Sequence, residues 1–306
     1  MQAEDIKKVL IVGAGTMGHQ IGFLCAMNGL DVALYDVSPE VREAVPGRIE
    51  RLGAKFVRHG KLSAEGAESA RARMTMHADP AEAAAEADIV SESVPEDPEL
   101  KGRIFAEFDR LCPERTIFTT NTSSLVPSMF AEATGRPDRL LALHFHHVLM
   151  TNVVDIMPHP GTSGETLSVV EGFCRRIGQN AIVLKKEHPG YVFNTMLSEW
   201  FRSAQTLAAS GVATPQDVDR AWMGVMHAPM GPFGLMDTVG LDTVWKITDY
   251  WANKLEDPRA RMNADFMKKY VDEGRLGTKV GKGFYDYPNP AFQQPGFIES
   301  GGRDSG

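Results

Sequence analysis

The 306-residue sequence predicts an α/β protein with a doubly wound, mainly parallel sheet, followed by an all-helical C-terminal domain. Two observations support this prediction. Short apolar runs alternate with helical patterns up to about residue 188, which is typical of a parallel sheet covered by helices on both faces. Beyond residue 188 apolar residues recur at helical spacing and no convincing strand pattern appears. We therefore divide the chain into residues 1–188 and 189–306.

A glycine-rich turn near the N-terminus is the most informative motif. The apolar run 9–12 is followed by GAGTMG at 13–18, a predicted helix, a second predicted strand at 31–35 and then Asp36. A glycine turn between a strand and a helix, with an acid about 20 residues later, is the dinucleotide-binding fingerprint of Rossmann-like domains. The alternative is a glycine-bearing turn of an α/β protein that binds nothing.

Each glycine of this motif has a physical role. Gly13 permits the tight turn, Gly15 lets a pyrophosphate approach the backbone, and Gly18 lets the helix pack on the sheet. Asp36 can accept hydrogen bonds from ribose hydroxyls, and its charge repels a 2′-phosphate. No Arg or Lys occupies 37–39, so the sequence favours NAD over NADP. The predicted cofactor contacts here are Gly13, Gly15, Thr16, Met17, Gly18 and Asp36.

The bulk composition excludes several functional classes. Hydrophobic residues make up 43% and charged residues 24% of the sequence, as in ordinary globular proteins. The net charge of −8 argues against a nucleic-acid binder, which would need a basic surface. No stretch approaches the ~20 apolar residues of a membrane span. Three widely spaced cysteines indicate reduced thiols in a cytoplasmic protein.

Two further regions carry structural predictions. Segments 40–58 and 63–73 read as a helical hairpin inserted after the second strand, although Pro46 and Gly53 are unfavourable inside a helix. Apolar residues between 193 and 208 fall on one helical face, which is typical of a core or of a subunit interface. The Pro- and Gly-rich segment 289–306 is predicted to be loosely ordered.

Candidate catalytic groups follow two of the predicted strands. The segment 121–124 follows a strand at 116–120, and His144 lies near the end of a strand at 140–145. Strand carboxyl ends line the ligand crevice of a doubly wound sheet. Histidine exchanges protons near neutral pH, and Asp155 on the neighbouring strand could orient its ring. We predict no metal, because the sequence shows no acidic or thiol partner at ligand spacing from the histidines 144–147.

Motifs over nearly the whole sequence together resemble the L-3-hydroxyacyl-CoA dehydrogenase family, which includes 3-hydroxybutyryl-CoA dehydrogenases. They are GAGTMG at 13–18, SESVPEDPELK at 91–101, NTSSL at 121–125, HF at 144–145, PGYVFN at 189–194, PMGPFGLMDTVGLDT at 229–243 and GTKVGKGFYDY at 277–287. The resemblance implies a Rossmann-like domain with an inserted helical hairpin, and a helical domain that forms a homodimer.

The resemblance also implies roles for individual residues. His144 would be the general base that takes the C3 hydroxyl proton as hydride leaves for NAD. Ser123 and Asn194 would hydrogen-bond substrate oxygens or the nicotinamide. The implied reaction interconverts a short-chain L-3-hydroxyacyl-CoA, such as 3-hydroxybutyryl-CoA, and the 3-ketoacyl-CoA, a step of fatty acid metabolism. The residues implied on the NAD side are Glu96, Lys101, Asn121 and Lys279.

This sequence departs from the family pattern on the substrate side. The family usually has HFFNP and a glutamate 12 residues after the histidine, whereas this chain has HFHHV at 144–148 and Asp155, 11 residues after His144. A one-residue deletion in the loop would restore the register of that carboxylate. The hairpin positions that offer a polar residue and a lysine to coenzyme A match Leu52 and His59, with Lys55 and Arg58 close by. We predict that Lys55 and Arg58 contact the coenzyme A part of the substrate.

Two alternatives stay open. The segment Pro158-His159-Pro160 is similar to relatives that oxidise free sugar acids such as L-gulonate, so the substrate could be a non-CoA 3-hydroxy acid. The other alternative is an NAD(H)-binding protein without catalysis. The presence of Ser123, His144 and Asn194 argues against it, since a pure binder needs only the glycine turn and Asp36.

Overall fold

The computed structural model describes residues 1–300, except for the side chain of Leu255. It divides into two compact units, Met1–Phe193 and Asn194–Gly306, the second described as far as residue 300. The boundary predicted near residue 188 lies a few residues before this division. Each unit is described below by itself.

A mainly parallel sheet forms the centre of the first unit. Within residues 1–300 its strand order is β3-β2-β1-β4-β5-β6-β7-β8, and only the pair of β6 and β7 is antiparallel. The carboxyl ends of β1 to β6 therefore share one edge of the sheet with the start of β7. The strands are β1 (Lys8–Val12), β2 (Asp31–Tyr35), β3 (Met74–His77), β4 (Ile89–Glu92), β5 (Ile117–Thr120), β6 (Leu140–Phe145), β7 (Val153–Pro158) and β8 (Asn180–Val183).

Helices cover both faces of this sheet. Each face has its own apolar core, one including Ile11, Phe23 and Phe173, the other including Leu10, Phe105 and Phe118. Consecutive strand residues point to opposite faces, which explains why Leu10 and Ile11 enter different cores. The predicted Rossmann-like fold is confirmed. The helices are α1 (Gly18–Met27), α2 (Pro39–Arg58), α3 (Ala64–Ala72), α4 (Pro80–Ala84), α5 (Pro98–Leu111) and α6 (Gly164–Arg176).

The helices α2 and α3 form the inserted hairpin that the sequence predicts. Helix α2 continues through Pro46, because Val45, Ile49 and Phe56 are buried along one side and tertiary packing outweighs the lost backbone hydrogen bond. A Cβ on Gly53 would lie 3.4 Å from the ring of Phe23, so glycine at 53 allows the hairpin to approach α1 closely.

Strand β3 was not predicted from the sequence. Its residues Met74–His77 are mostly half-buried, at the edge of the sheet, and they follow directly after the predicted helix of 63–73. A short edge strand without an apolar run gives little sequence signal, because its formation depends on pairing with β2.

The second unit is helical, as predicted. Phe201, Phe233, Met236 and Met267 belong to its core. Its helices are α7 (Phe193–Ala209, whose first residue belongs to the first unit), α8 (Pro215–Met226), α9 (Pro232–Val239), α10 (Leu241–Leu255) and α11 (Pro258–Asp272).

The prediction of a loosely ordered segment at 289–306 is wrong for residues 289–300. Phe292 and Phe297 are buried in the core of the second unit, and Ala291–Gln293 form a 3-10 turn. Two aromatic side chains bury enough apolar surface to order a segment that is otherwise rich in proline and glycine. Residues 301–306 lie outside the described part of the chain.

A buried carboxylate organises the second unit. Asp219 on α8 accepts hydrogen bonds from the Phe233 and Gly234 amides at 2.8 and 3.0 Å and from the Tyr285 hydroxyl at 2.8 Å. The two amides lie in the first turn of α9, where the N-cap position holds Gly231, a residue without a side-chain acceptor. Asp219 therefore caps α9 from a neighbouring helix.

Among residues 1–300, no helix combines the length and apolar character needed to cross a bilayer. The cytoplasmic location inferred from the sequence stays a prediction.

We expect Asp219→Ala to lower the free energy of unfolding by about 3 kcal/mol, because it leaves three buried donors without their acceptor. Chemical denaturation measures this loss. The control is Asp217→Ala on the same helix, which removes a partly exposed pair with Arg220 and should cost about 1 kcal/mol or less. Equal losses in the two variants would contradict the capping role of Asp219.

Candidate active site

The glycine turn after β1 leaves space for a ligand at one position only. A Cβ on Gly13, where φ is +94°, would lie 2.8 Å from the Ser93 backbone, and a Cβ on Gly18 would lie 1.8 Å from the Gly13 carbonyl oxygen. A Cβ on Gly15 would meet nothing within 4 Å. The protein's own packing therefore requires Gly13 and Gly18, whereas Gly15 borders open space where a pyrophosphate is expected.

The start of α1 adds its helix dipole to this turn. Thr16 and Met17 lead into the helix, and Met17 occupies the N-cap position. Met17 has no side-chain oxygen to cap the helix, and the His19 and Gln20 amides bond the Gly15 and Met17 carbonyls at 3.5 and 3.0 Å. The positive end of the helix dipole faces the turn and attracts an anionic ligand. The turn fits the diphosphate of a dinucleotide.

Asp36 at the end of β2 holds the glycine turn. Its Oδ2 accepts from the Ala14 amide and its Oδ1 from the Ser38 amide, both at 2.9 Å. The inference that no basic side chain lies beside Asp36 is wrong, because Arg42 donates to the backbone carbonyls of Asp36 and Val37 at 2.7 and 2.9 Å. The first turn of α2 brings this arginine back, which a search of 37–39 cannot detect.

Lys101, predicted on the NAD side, is almost completely buried. Only 1% of it is exposed, and its Nζ donates to Glu92 Oε1 at 2.8 Å and to the Val94 carbonyl at 3.1 Å. The other Glu92 oxygen accepts from the Thr120 hydroxyl at 2.6 Å. The ammonium group is thus used within the protein, where it joins the ends of β4 and β5 to the start of α5.

Glu96 fixes the loop after β5. It accepts from the Ser123 amide at 2.6 Å, from the Ser123 hydroxyl at 3.0 Å and from the Thr122 hydroxyl at 2.7 Å. Burial raises the pKa of Glu96, but these hydrogen bonds and the nearby Lys101 outweigh burial and leave the pKa below its usual value. Asn121 connects this loop to β6, because its Oδ1 accepts from the Phe145 amide at 2.8 Å.

His144 and Asp155 face each other across the antiparallel pair β6 and β7. They are directly opposite in register, and His144 Nδ1 lies 3.5 Å from Asp155 Oδ2. Both side chains are buried. Directly opposite residues share one face of a sheet, so the shorter loop between these strands does bring the aspartate into line with the histidine.

His146 is a third member of this group, which the sequence analysis did not assign. Its Nε2 lies 3.0 Å from the same Asp155 oxygen, closer than His144. The premise that the histidines have no acidic partner is therefore wrong. The two-residue spacing of His144 and His146 was visible in the sequence, but the position of Asp155 depends on strand pairing. Burial alone would raise the pKa of Asp155, but the two histidines lower it to about 2.

The ring of Tyr191 packs against the ring of His144. The two rings stack, with centroids 4.7 Å apart and an interplanar angle of 15°. The Tyr191 hydroxyl donates to the Thr122 carbonyl at 2.7 Å, so the residue joins the histidine to the loop that carries Ser123. Tyr191 lies within the motif at 189–194, but nothing in the sequence indicated a role for it.

A basic cavity of about 190 Å³ lies between α1, α2 and the loop after β6. Lys55 borders it, as do two further basic residues of α2, Arg48 and Arg51. Arg58 is exposed on the last turn of α2 and does not line this cavity. Its lining residues are His19, Gln20, Arg48, Arg51, Leu52, Lys55, His147 and Leu149.

Two predicted site residues belong to the second unit. Asn194 lies in the first turn of α7. Lys279 lies in the 3-10 turn Thr278–Val280, where its Nζ is 2.5 Å from Asp242 Oδ1. The roles of both residues at the cofactor or substrate remain predictions.

Comparison with known families decides the identity of this site. Residues 8–188 match the family model for the 3-hydroxyacyl-CoA dehydrogenase NAD-binding domain, and residues 190–287 match that family's C-terminal domain. The chain belongs to the 3-hydroxyacyl-CoA dehydrogenase family. It is an NAD-dependent oxidoreductase of this family, and the open space at Gly15 fits the NAD that the family uses.

Individual 3-hydroxyacyl-CoA dehydrogenases and related structures are similar over most of the chain. A probable 3-hydroxybutyryl-CoA dehydrogenase of Bacillus subtilis is 35% identical, covering 92% of this chain and 98% of the relative. The structure of (S)-3-hydroxybutyryl-CoA dehydrogenase from Ralstonia eutropha has a TM-score of 0.81 at 31% identity, covering 93% and 100%. A diketoreductase structure, described as acting on dicarbonyl compounds, has a TM-score of 0.86 at 36% identity, covering 92% and 99%.

We expect Gly15→Ala and Gly18→Ala to have different effects. Gly15→Ala should weaken NADH binding about tenfold or more, because the added methyl group enters the open space at the turn, and it should leave the melting temperature unchanged. Gly18→Ala should lower the melting temperature by about 3 °C or more, because its Cβ meets the Gly13 carbonyl. Fluorescence titration with NADH and thermal melting distinguish them. A Gly15→Ala variant that binds NADH normally would refute the placement of the pyrophosphate.

Proposed function

We propose that this enzyme interconverts a short-chain L-3-hydroxyacyl-CoA, such as 3-hydroxybutyryl-CoA, and the 3-ketoacyl-CoA, with His144 as the general base. The observation that carries this proposal is the placement of His144 directly opposite Asp155, at the sheet edge that also bears the glycine turn. NAD supplies the hydride acceptor when it is bound.

The orientation of His144 defines its proposed task. Because Nδ1 faces Asp155, Nε2 is the nitrogen left to take the C3 hydroxyl proton during oxidation and to return it during reduction. Asp155 stabilises the imidazolium that forms, and with a pKa of about 2 it stays ionised at neutral pH. The stability that this depressed pKa contributes is present above the ordinary aspartate value and is lost only as the pH falls towards 2.

Ser123 and Asn194 are the proposed donors to the substrate oxygens. Glu96 supports this role for Ser123, because it holds both the amide and the hydroxyl of this residue and thereby fixes the loop. A fixed donor needs no reorganisation as charge develops on the substrate oxygen, which is the main source of electrostatic catalysis. The contacts of Glu96, Lys101, Asn121 and Lys279 with NAD remain proposals. For Lys101 the burial of its ammonium supports an indirect role through Glu92.

The basic cavity supports a coenzyme A ester over a free acid. Coenzyme A carries several phosphate charges, and Arg48, Arg51 and Lys55 together offer three positive groups at one cavity. We propose that these residues and Arg58 receive the coenzyme. A free 3-hydroxy acid presents a single carboxylate and has less need of such a cluster.

The second candidate is a non-CoA substrate with the same chemistry. The diketoreductase with 36% identity favours it, since the name of that protein describes dicarbonyl compounds. The segment 158–160 adds no support, because His159 is buried and its ring nitrogens bond the Pro137 carbonyl at 2.8 Å and the Gly161 amide at 3.1 Å. This histidine is explained by loop packing.

We also propose a homodimer formed through the helices of the second unit. In the single chain α8 exposes Val225 by 78% and Met226 by 57%, and α10 exposes Ile247 by 50% and Trp251 by 47%. Large exposed apolar side chains on the helices of one unit are typical of surfaces that another protein covers. The family resemblance makes a second copy of this chain the proposed partner.

We expect the full-length enzyme to oxidise NADH in the presence of acetoacetyl-CoA, and His144→Ala to lower this rate by about 10²–10⁴-fold while NADH still binds. NADH absorbance gives the rate and NADH fluorescence gives binding. His227→Asn, a change at an exposed histidine of the second unit, serves as the matched control and should keep the wild-type rate.

Each other outcome of this assay has a defined meaning. Turnover of free hydroxy acids or of dicarbonyl compounds without turnover of CoA esters would establish the second candidate. Binding of NADH without turnover of any substrate would leave a binding protein. A His144→Ala variant with a near-normal rate would remove His144 from the proposed role.

We expect light scattering to give twice the chain mass of 33.5 kDa. The double variant Val225→Glu with Ile247→Glu should give the single-chain mass, because charge on an apolar interface is costly to bury. Val212→Glu, at an exposed valine outside α8 and α10, should remain dimeric. A double variant that stays dimeric would place the interface elsewhere.

A further inference from the structure

His144, His146 and Asp155 form a cluster that the proposed reaction does not fully use. One ring nitrogen from each histidine and one carboxylate oxygen all lie within 4.8 Å of one another. A general base at His144 requires only one carboxylate to orient its ring. Asp155, however, lies closer to His146 than to His144. The family motif quoted above has phenylalanine at the position of His146, so this second imidazole is a property of this chain.

Two of the three ligand distances in the cluster are those of a small metal site, and the two histidine nitrogens lie within 4.8 Å of each other. Ligands at the 2.0–2.1 Å typical of zinc in a tetrahedral site lie about 3.4 Å apart. The distances from Asp155 Oδ2 to His144 Nδ1 and to His146 Nε2 are 3.5 and 3.0 Å, on either side of this value. Two imidazoles and a carboxylate are ligands that Zn²⁺ and related divalent ions accept.

A buried nitrogen of the cluster lacks a good partner. Among residues 1–300, His144 Nδ1 has only the 3.5 Å contact with Asp155 and forms no hydrogen bond of normal geometry. A buried polar atom without a partner is costly, and an ion between the three side chains would satisfy it. The side chain of His146 is 15% exposed, which gives an ion a route from solvent.

The Asp155 carboxylate gives the cluster a negative charge, which favours a cation. The ammonium of Lys101 is already paired with Glu92, and the Asp155 carboxylate has histidines as its ionisable partners. The ring of Phe193 contacts His146 edge-on, with centroids 5.3 Å apart.

We propose that His144, His146 and Asp155 bind a divalent transition metal ion of the Zn²⁺ class, and that this ion reversibly inhibits the enzyme. Coordination at Nδ1 requires the neutral imidazole with its single proton on Nε2, so a proton held at Nδ1 of the neutral ring moves through solvent to Nε2, and an imidazolium releases its Nδ1 proton to solvent and keeps the one on Nε2. A His144 ring protonated at Nε2 cannot accept the substrate proton. The inhibition rests on the proposed function of His144, whereas the binding of the metal does not.

Binding is tested without substrate on the untagged full-length protein after treatment with a chelator. Titration with Co²⁺ should produce the visible d–d absorption of tetrahedral Co²⁺, saturating at one ion per chain, and Zn²⁺ should abolish the absorption by competition. Absence of this absorption together with absence of Zn²⁺ binding by calorimetry would overturn the proposal.

Variants assign the ion to these residues. His146→Phe should weaken Co²⁺ binding by roughly 100-fold or more, since loss of an outer-shell partner alone typically costs 10–100-fold. The control is His147→Ala, which removes the neighbouring exposed histidine and should keep the absorption. His146→Gln tests the same ligand if the phenylalanine variant does not fold, which NADH binding reports. Unchanged Co²⁺ binding in the His146 variants would overturn the assignment.

The inhibition has a separate readout. Zn²⁺ should slow the reduction of the accepted substrate by at least tenfold, a chelator should restore the rate, and the His146→Phe rate should be insensitive to Zn²⁺ at the same concentration. If the wild type binds Co²⁺ but turns over no substrate, the metal site stands and the proposed function fails. If Zn²⁺ binds and leaves the rate unchanged, the inhibitory role is refuted.

Discussion

The antiparallel pairing of β6 with β7 is the interaction on which the active site depends. All other pairs in the described sheet are parallel, and parallel strands would need a long crossover to bring two neighbours together. The short return after His144 instead places Asp155 directly across from it. A slip of one residue would move the carboxylate to the opposite face, so the register of one strand pair determines whether a base can form.

The cofactor-binding part of the site depends on a different feature, a set of buried polar groups at the ends of parallel strands. Glu92, Lys101 and Thr120 satisfy one another, and Glu96 holds the loop of Ser123. Buried groups of this kind add little net stability, but an incomplete set would be strongly unfavourable. Their function is to fix the backbone around the crevice.

Much of this architecture could be predicted from the sequence, because it depends on local patterns. The buried strands are apolar runs, the glycine turn has its own spacing, and Asp36 follows at a defined distance. Other features depend on contacts between distant segments. Strand β3 needs its pairing with β2, and Phe292 and Phe297 order the C-terminal segment by entering a core built from helices α7 to α11. The side chain of Arg42 reaches the Asp36 carbonyl only because the first turn of α2 directs it back towards the end of β2.

The candidate site shows the same division at the level of single side chains. The sequence predicted His144 as a base with Asp155 as its partner, and the structure places the two directly opposite each other. The preference of Asp155 for His146 could not be predicted, since it depends on side-chain directions at the end of the strand. The burial of Lys101 was equally hidden, because it depends on the contact of its ammonium group with Glu92, nine residues earlier in the chain.

Tyr191 has a consequence that reaches beyond the histidine on which it stacks. The residue lies in a left-handed backbone conformation with φ of +54°, three positions before the chain enters the second unit at Asn194. A left-handed backbone is unfavourable for a bulky side chain. The stack on His144 and the hydroxyl bond to Thr122 therefore hold a chain direction that the free peptide would not keep.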